Sequence, residues 1–407
     1  MSETTKIAFD EIPDNLQRPG HYLEIKALYR ADVLLPYPSR GLVIAAKLAA
    51  GTATAGTVYS VARRQEATAL FGAGSVAEAM AHFWLSANQT VPLDVIGLAD
   101  LGGSTKTVHT VTFAGTSTQG GVVALGIGGK RYAVAMPSGS TAASVGAAMI
   151  AAIQAAPQAP VVAAGAAAMT LTAKNAGPHG TDLDVFQSPA VGDAMPPGIT
   201  ATVVQTTAGT GVADVSLALT AIAGVHYTDI VVPFQDATNL GLLTAEMDRR
   251  WNAMVRMEGR LYAVYTGSLA QQLAKAVAAN ARFLYALGIT NPVTPPWAQA
   301  ASMAAVAARE LLNDPARQLR DLALPDVVGN RPADRRTSTE EEQQLDGGLS
   351  SFRVLRDGGV TLQRVVSTYL VNAQAVPDPA YHDIMEQAVA ARIRRATNPS
   401  SLSLTGK

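Results

Sequence analysis

The chain has no cysteine, few aromatic residues and little charge, and each shortage excludes a class of protein. Without cysteine there is no disulfide framework, no thiolate metal site and no cysteine nucleophile. Aromatic residues make up 5% and charged residues 15% of the 407 residues, and the formal net charge is −1. So small a net charge creates no field that would draw the chain to nucleic acid or to an anionic membrane, so neither partner is predicted.

Long apolar runs and targeting signals are also missing. The stretch Ala142 to Ile153 is rich in Ala and Gly and is shorter than the ~18 residues that a membrane span requires. The N-terminus is polar and acidic, without the basic start and apolar stretch of a signal peptide. We therefore expect a soluble protein made and used in the cytoplasm that does not insert into a membrane.

No motif in the sequence indicates catalysis. The six histidines are not paired at metal-ligand spacing. The glycine cluster at Gly126 to Arg131 is not a phosphate-binding loop, because Ala124 and Arg131 stand where that motif requires Gly and Ser or Thr. We expect no catalytic residue, no cofactor and no metal, and hence a protein that is not an enzyme.

The sequence does contain enough apolar residues for hydrophobic cores, and its composition and patterning differ between two kinds of region. Hydrophobic residues make up 48% of the chain, which at this length favours two or three domains. From about Gly102 to Gly211 the chain is rich in Thr, Gly, Ala and Val, with short strand candidates and one helix, Thr141 to Ala155. Before and after that stretch, strands alternate with helices, which is typical of a layered α/β sheet.

These two kinds of region predict an α/β fold whose layered core is formed by the N- and C-terminal parts of the chain, with an inserted β-rich module and extended terminal arms. The predicted boundaries are an N-terminal arm at 1–25, a discontinuous core at 26–99 and 214–395, the inserted module at 100–213 and a C-terminal tail at 396–407. Thr337 to Leu345 is interpreted as a charged, solvated stretch, and Tyr381 to Arg395 as the final helix.

Three segments in order resemble the tail sheath proteins of Mu-like, contractile-tailed phages. They are the opening, Phe9 to Pro13 with Arg18 to Ile25; two pieces of the inserted module, Ile127 to Tyr132 and Leu171 to Gly177; and the late segments Ser367 to Gln374 and Pro377 to Tyr381. The resemblance spans most of the chain, and the segments stand in the order that the family has.

The resemblance implies a structural subunit of the virion tail. Such subunits stack as hexameric rings, or a six-start helix, around a tail tube, and the sheath contracts to drive the tube through the host envelope. The implied partners are other copies of the chain, the tail tube protein, and the baseplate and tail terminator proteins. The implied location is the virion tail, after assembly in the host cytoplasm. A tail sheath and the sheath of a phage-tail-like bacteriocin are equally compatible with it.

In this family, strands donated by terminal arms join neighbouring subunits. Such strand addition relies on backbone hydrogen bonds and demands little of the side chains. The candidate donated strands are His21, Tyr22, Leu23, Glu24 and Ile25 in the N-terminal arm, and Leu402 and Leu404 at the C-terminus. The candidate acceptor is the hairpin around Asp357 to Gly359, with Phe352, Val354, Val360 and Leu362; an ordinary internal hairpin is the alternative.

Relative to the family, the chain stops early at Lys407. Either the C-terminal half of the linkage is reduced here, or the chain is truncated. Two other hypotheses for the whole protein stay open at this point: another structural component of the virion tail, such as a tube or baseplate protein, and a soluble α/β enzyme with a β-rich accessory domain.

Overall fold

The computed structural model describes residue 37, residues 39–188, residue 190 and residues 193–404, with side chains as far as residue 396. Within them the strands, β1 to β16 in chain order, are Gly41–Ala46, Val58–Val61, Leu93–Leu98, Val108–Gly115, Gly121–Ile127, Lys130–Met136, Val161–Gly165, Ala168–Ala173, Val185–Gln187, Ile199–Thr207, Asp229–Val231, Arg260–Thr266, Leu284–Ile289, Leu322–Ala323, Ser351–Val354 and Val360–Arg364. The α-helices, α1 to α9, are Arg64–Phe71, Val76–Ala87, Ala142–Gln154, Ser216–Ile222, Ala237–Trp251, Leu269–Ala279, Pro296–Asn313, Ser338–Asp346 and Ile384–Leu404.

A six-stranded sheet forms the centre of the molecule, in the order β13-β12-β11-β1-β3-β2. All neighbouring strands are parallel except β2, which runs antiparallel to β3 at one edge. Strands β1 and β3 are buried along their whole length, as parallel strands covered on both faces must be. The sheet therefore joins strands from before and after the β-rich part of the chain.

Helices cover both faces of this sheet. On one face Val43 and Tyr262 pack in a cluster with Trp84 of α2 and Ala301 of α7. On the other face, alternate strand residues pack with α4, α5 and α6. This three-layer arrangement confirms the α/β fold class that the alternating helices and strands predict.

Residues 108–207 form two further antiparallel sheets, with orders β10-β4-β8-β7 and β6-β5-β9. Helix α3 packs against strands of both sheets, and its residue Met149 shares a cluster with Val111, Leu125 and Leu171. No strand from outside this range joins either sheet within the described residues. The boundaries proposed for an inserted module at 100–213 and a discontinuous core at 26–99 and 214–395 stay a prediction.

Local sequence signals explain where several elements begin. Ser75 accepts a hydrogen bond from the Glu78 N–H at 3.0 Å and so caps α2. Thr141 caps α3 in the same way, and Gly128 and Gly129, both at positive φ, form the turn between β5 and β6. The start of α3 agrees with the helix predicted over Thr141 to Ala155.

Two elements go beyond the prediction. The charged, solvated stretch from Thr337 forms helix α8, because Thr337 and Glu340 form a reciprocal capping box. Strand β10 was not predicted at all, although it is nine residues long. Among the described helices, none combines the length and apolar character required to cross a bilayer.

Candidate assembly interface

The predicted acceptor hairpin exists and belongs to a small three-stranded sheet, in the order β14-β16-β15. The turn between β15 and β16 contains Gly358 at φ 88°, and the Asp357 carboxylate accepts the Gly359 N–H at 3.0 Å. The Leu355 N–H donates to the Gly359 carbonyl at 2.7 Å and closes the hairpin. The Asp-Gly-Gly signal therefore produces the turn that it predicts.

Of the four predicted acceptor residues, two lie in the centre of this sheet. The carbonyls of Val360 and Leu362 already accept N–H groups from the β14 side, from Leu324 at 2.8 Å and Asp321 at 2.7 Å. Strand β16 is thus paired along both edges, so Val360 and Leu362 shape the sheet but have no free edge to offer.

The other two predicted residues, Phe352 and Val354, lie on the outer edge of β15. In an antiparallel pair, hydrogen-bonded and non-hydrogen-bonded residue pairs alternate. Because Leu355 bonds to Gly359, the next bonded residue of β15 is Arg353, opposite Thr361. The N–H and C=O groups of Phe352 and Val354 therefore point away from β16, and no other described residue bonds to them.

A cleft of about 120 Å³ runs beside this free edge. Strand β15 approaches the central sheet at Ser350, whose N–H donates to the Ala286 carbonyl of β13 at 2.8 Å. Beyond that contact no pairing joins the two strands in the described part of the chain. The cleft is lined by residues of β13 and β15, with Asn330, Arg336 and Gln344 also contributing.

Two polar atoms beside the cleft lack a hydrogen-bond partner among the described residues: Asn330 Oδ1 and Arg336 Nη1. Asn330 is only 7% exposed, so an unpaired oxygen there is costly, by about 1–3 kcal/mol. One acceptor, one donor and an unpaired strand edge therefore lie together, and this combination suits an added extended peptide.

The structure shows neither of the predicted donor segments as a strand within the described residues. His21, Tyr22, Leu23, Glu24 and Ile25 lie outside the described residues. Leu402 and Leu404 were predicted to form a minimal strand, but the structure places them in the last turns of α9. A helix satisfies its backbone groups within the segment, whereas a lone strand cannot without a partner, so these residues are helical in the single chain. Their role as an inter-subunit strand stays a prediction.

At the edge of the central sheet where α/β proteins usually bind ligands, residues 174–184 of the chain itself lie across the ends of the strands, beside a cavity of about 330 Å³. The strand order reverses between β1 and β11, and ligands bind outside the carboxyl ends of the strands at such a point. Here Asn175 donates to the Lys47 carbonyl after β1 and accepts the Val76 N–H, both at 3.1 Å. His179 packs between Phe234, after β11, and Trp297, at centroid distances of 6.1 Å.

Further along the same segment, Asp182 accepts hydrogen bonds from Thr266 and Gln235, each at 3.0 Å. Burial raises the pKa of Asp182 to about 6, and burial lowers the pKa of His179 to about 4. We call residues 174–184 the seam, because they fasten the β-rich residues to the central sheet. The start of the seam lies in the segment Leu171 to Gly177 that carries the family resemblance, but no sequence motif indicates the contacts of His179 and Asp182. No metal-binding group of three or more His, Asp or Glu side chains occurs in the described part of the chain.

Comparison with known proteins shows which family the chain belongs to. No family model matches the chain. The chain is 30% identical over 394 residues, which is 96% of its length and 80% of the relative's, to the tail sheath protein of the Mu-like prophage FluMu of Haemophilus influenzae. A relative of this kind defines the class of the chain as a structural protein of a phage tail rather than an enzyme. The chain belongs to the tail sheath protein family of Mu-like phages.

Solved structures of more distant sheath proteins are also similar. The sheath tail protein of Desulfitobacterium hafniense is 14% identical, with a TM-score of 0.46, over 95% of this chain and 83% of that one. The sheath tail protein of Listeria innocua is 13% identical, with a TM-score of 0.46, over 89% and 77%. The contracted helical sheath of the anti-feeding prophage is 11% identical, with a TM-score of 0.47, over 96% and 77%. These likenesses are too distant to carry an argument about details.

Proposed function

We propose that the chain polymerises as stacked hexameric rings, equivalent to a six-start helix, around a tail tube. Contraction of this sheath drives the tube through the host envelope. The partners are other copies of the chain, the tail tube protein, and the baseplate and tail terminator proteins, and assembly takes place in the host cytoplasm. Membership of the tail sheath family supports the proposal.

The free edge of β15 is the observation that carries the assembly mechanism. We infer that an extended segment of a neighbouring copy pairs with Phe352 and Val354 and lies in the adjacent cleft. The N-terminal segment His21 to Ile25 is the candidate donor, because it alternates as a strand does. A second strand from Leu402 and Leu404 would require the end of α9 to unwind first.

A link of this kind is weak alone and strong in a lattice. Phe352 and Val354 offer one N–H and one C=O each, and each added hydrogen bond contributes about 0.5–1.5 kcal/mol net, or about 2–6 kcal/mol for one strand. Head-to-tail contacts form closed rings when the rotation between subunits closes and helical filaments when it does not, so repeated contacts of this kind extend over the whole lattice. Links through extended arms also let subunits rotate and slide without separating, as contraction requires.

Negative-stain electron microscopy of the purified protein tests the proposed function. We expect rings or wide-bore tubes at concentrations of a few mg/ml (on the order of 100 μM), where weak repeated contacts act together. A protein that stays strictly monomeric across this range would contradict the proposal.

The donor segment is tested separately. Deleting residues 1–25, which removes the donor segment, should leave a folded protein that forms no ordered tubes, as judged by circular dichroism and microscopy. A finer variant is Tyr22→Pro/Leu23→Pro, which removes backbone N–H groups, and its matched control is Tyr22→Ala/Leu23→Ala, which keeps them. Normal tubes from the deletion variant, or equal loss in the proline and alanine variants, would rule out strand donation by this segment.

A further inference from the structure

A second concavity, of about 470 Å³, lies on the polar face of the small sheet. Side chains alternate along a strand, so Arg353 points to the opposite face from Phe352 and Val354. Gln363 of β16 shares the face of Arg353, since Ser351 donates to Gln363 Oε1 at 3.0 Å. We call this concavity, which Arg317, Arg320, Arg353 and Arg364 line, the arginine pocket.

Not all of these arginines are neutralised within the chain. Arg364 forms a two-pronged contact with Asp383, at 2.9 and 2.8 Å. Arg317 is paired with Glu310, a carboxylate that Arg309 also contacts.

Arg320 contacts Asp321 at 3.2 Å, but both side chains are more than two-thirds exposed, and such a pair contributes little. Arg353 has no ion pair or side-chain hydrogen bond within the described residues, although it lines both the arginine pocket and the cleft beside β15. The pocket therefore has an excess of positive charge that an anionic partner would neutralise.

The two ends of the chain differ in their ability to supply that charge. Residues 1–14 contain four carboxylates, Glu3, Asp10, Glu11 and Asp14, against one lysine. Residues 396–407 contain no acidic side chain at all. A strand of residues 21–25 seated on β15 would leave residues 15–20 as a tether, and six extended residues span up to about 20 Å. The acidic residues would then be within reach of the pocket.

We propose that the arginine pocket of one subunit binds the acidic residues Asp10, Glu11 and Asp14 of a neighbouring copy's N-terminal segment. The proposal rests on the proposed function, because it takes the same segment to be the inter-subunit link. The strand supplies backbone bonds that any sequence could make, and the pocket supplies the specificity for this end of the chain. Arg353 is the central contact, since it is the unpaired arginine nearest the free edge.

A charge-reversal cycle tests the proposal with the full-length chain. The single variants are Arg353→Glu and Asp10→Lys/Glu11→Lys, and the third protein combines both sets of changes. The matched control is Lys106→Glu, which reverses an exposed charge in the β-rich residues. The readout is the critical concentration for tube formation, measured by sedimentation in 0.1 M salt, with thermal unfolding as a check of the fold.

Each single variant should raise the critical concentration about 10-fold, which corresponds to about 1.4 kcal/mol of lost contact per subunit. The combined variant should recover to within about 3-fold of the native chain, because the reversed charges attract again. The control should be unaffected. In about 1 M salt, where the screening length falls from ~10 Å to ~3 Å, the native chain and the variants should converge.

Failure of this inference and failure of the proposed function give different results. If deletion of residues 1–25 leaves assembly normal, the N-terminal link itself is wrong. If that deletion blocks assembly but the single charge variants assemble like the control, the arginine pocket does not bind the acidic residues. Losses that simply add in the combined variant would also overturn the pairing.

Discussion

The seam at residues 174–184 and the outer edge of β15 lie at two edges of the same α/β core. They differ in whether their polar groups have hydrogen-bond partners within the chain. In the seam, the polar side chains of Asn175 and Asp182 have partners in the central sheet or just after its strands. Along β15, several polar groups have no hydrogen-bond partner in the described chain: the backbone groups of Phe352 and Val354, Asn330 Oδ1 and Arg336 Nη1. Polar groups that are hydrogen-bonded within one chain need no other molecule, whereas unbonded polar groups can bind a partner.

The difference matters because leaving buried polar groups unpaired is expensive. Each such group costs about 1–3 kcal/mol, and a free strand edge also invites aggregation. A sheath subunit that must join neighbours has a reason to carry this cost on β15, and none to carry it at the seam. The following predictions test the comparison, beginning with the largest expected effect.

Replacing Val354 with proline should abolish tube formation without unfolding the protein. The Val354 N–H points to the free edge, so proline removes a donor for the incoming strand but no bond to β16. The matched control is Val354→Ala, which loses the same packing against Gly329 but keeps the N–H. Microscopy and thermal unfolding give the two readouts.

Proline at the neighbouring position sharpens this prediction. Arg353 belongs to a hydrogen-bonded pair with Thr361, so Arg353→Pro should lower the thermal midpoint as well as block assembly. Val354→Pro tubes of native appearance would show that β15 is not the acceptor edge.

Removing the Asn175 side chain should destabilise the monomer and leave the assembly surface itself intact. Asn175→Ala leaves the Val76 N–H and the Lys47 carbonyl unpaired in a site only 4% exposed. We expect a loss of about 2–4 kcal/mol in the free energy of unfolding by urea. Thr202→Ala, on exposed β10, is the control and should change it by less than about 0.5 kcal/mol. An equally small loss of unfolding free energy for Asn175→Ala would mean that the Asn175 contacts of the seam do not stabilise the fold.

The smallest expected effect is a change in pH dependence at the seam. In the folded chain Asp182 has a pKa of about 6, above its ordinary value of about 4, so its contribution to stability falls as the pH rises from 4 to 6. His179 has a pKa of about 4, below its ordinary 6.5, so its contribution falls as the pH drops from 6.5 to 4. The two effects oppose each other.

Asp182→Asn should therefore expose the effect of His179. Between pH 6 and pH 4 the variant should lose about 2 kcal/mol more unfolding free energy than the native chain. Urea titrations at both pH values measure this difference. Parallel curves for the variant and the native chain would contradict the burial of Asp182.

Several elements could be predicted because their signals are local. Ser75 and Thr141 mark the starts of α2 and α3, and Asp357 to Gly359 marks the hairpin, because caps and turns depend on a few adjacent residues. The capping box of α8, Thr337 with Glu340, is also a local signal, but it stands within a run of charged residues that is equally typical of a solvated stretch.

The rest depends on distant pairing that no local pattern contains. Strand β10 alternates Thr with Ala and Val, a weak contrast, and it exists because β4 lies beside it. Whether an edge such as β15 stays free depends on where β13 and β14 lie, and Asn330 becomes an unpaired group only in that setting. The sequence could therefore indicate the hairpin but not which of its strands is open.

Cryo-electron microscopy of assembled tubes tests the central claim most directly. The expected result is an extended segment of a neighbouring subunit in backbone register with Phe352 and Val354 of β15, with Asn330 and Arg336 bonded to it. Tubes in which the outer edge of β15 faces solvent, or pairs only with its own chain, would contradict the account.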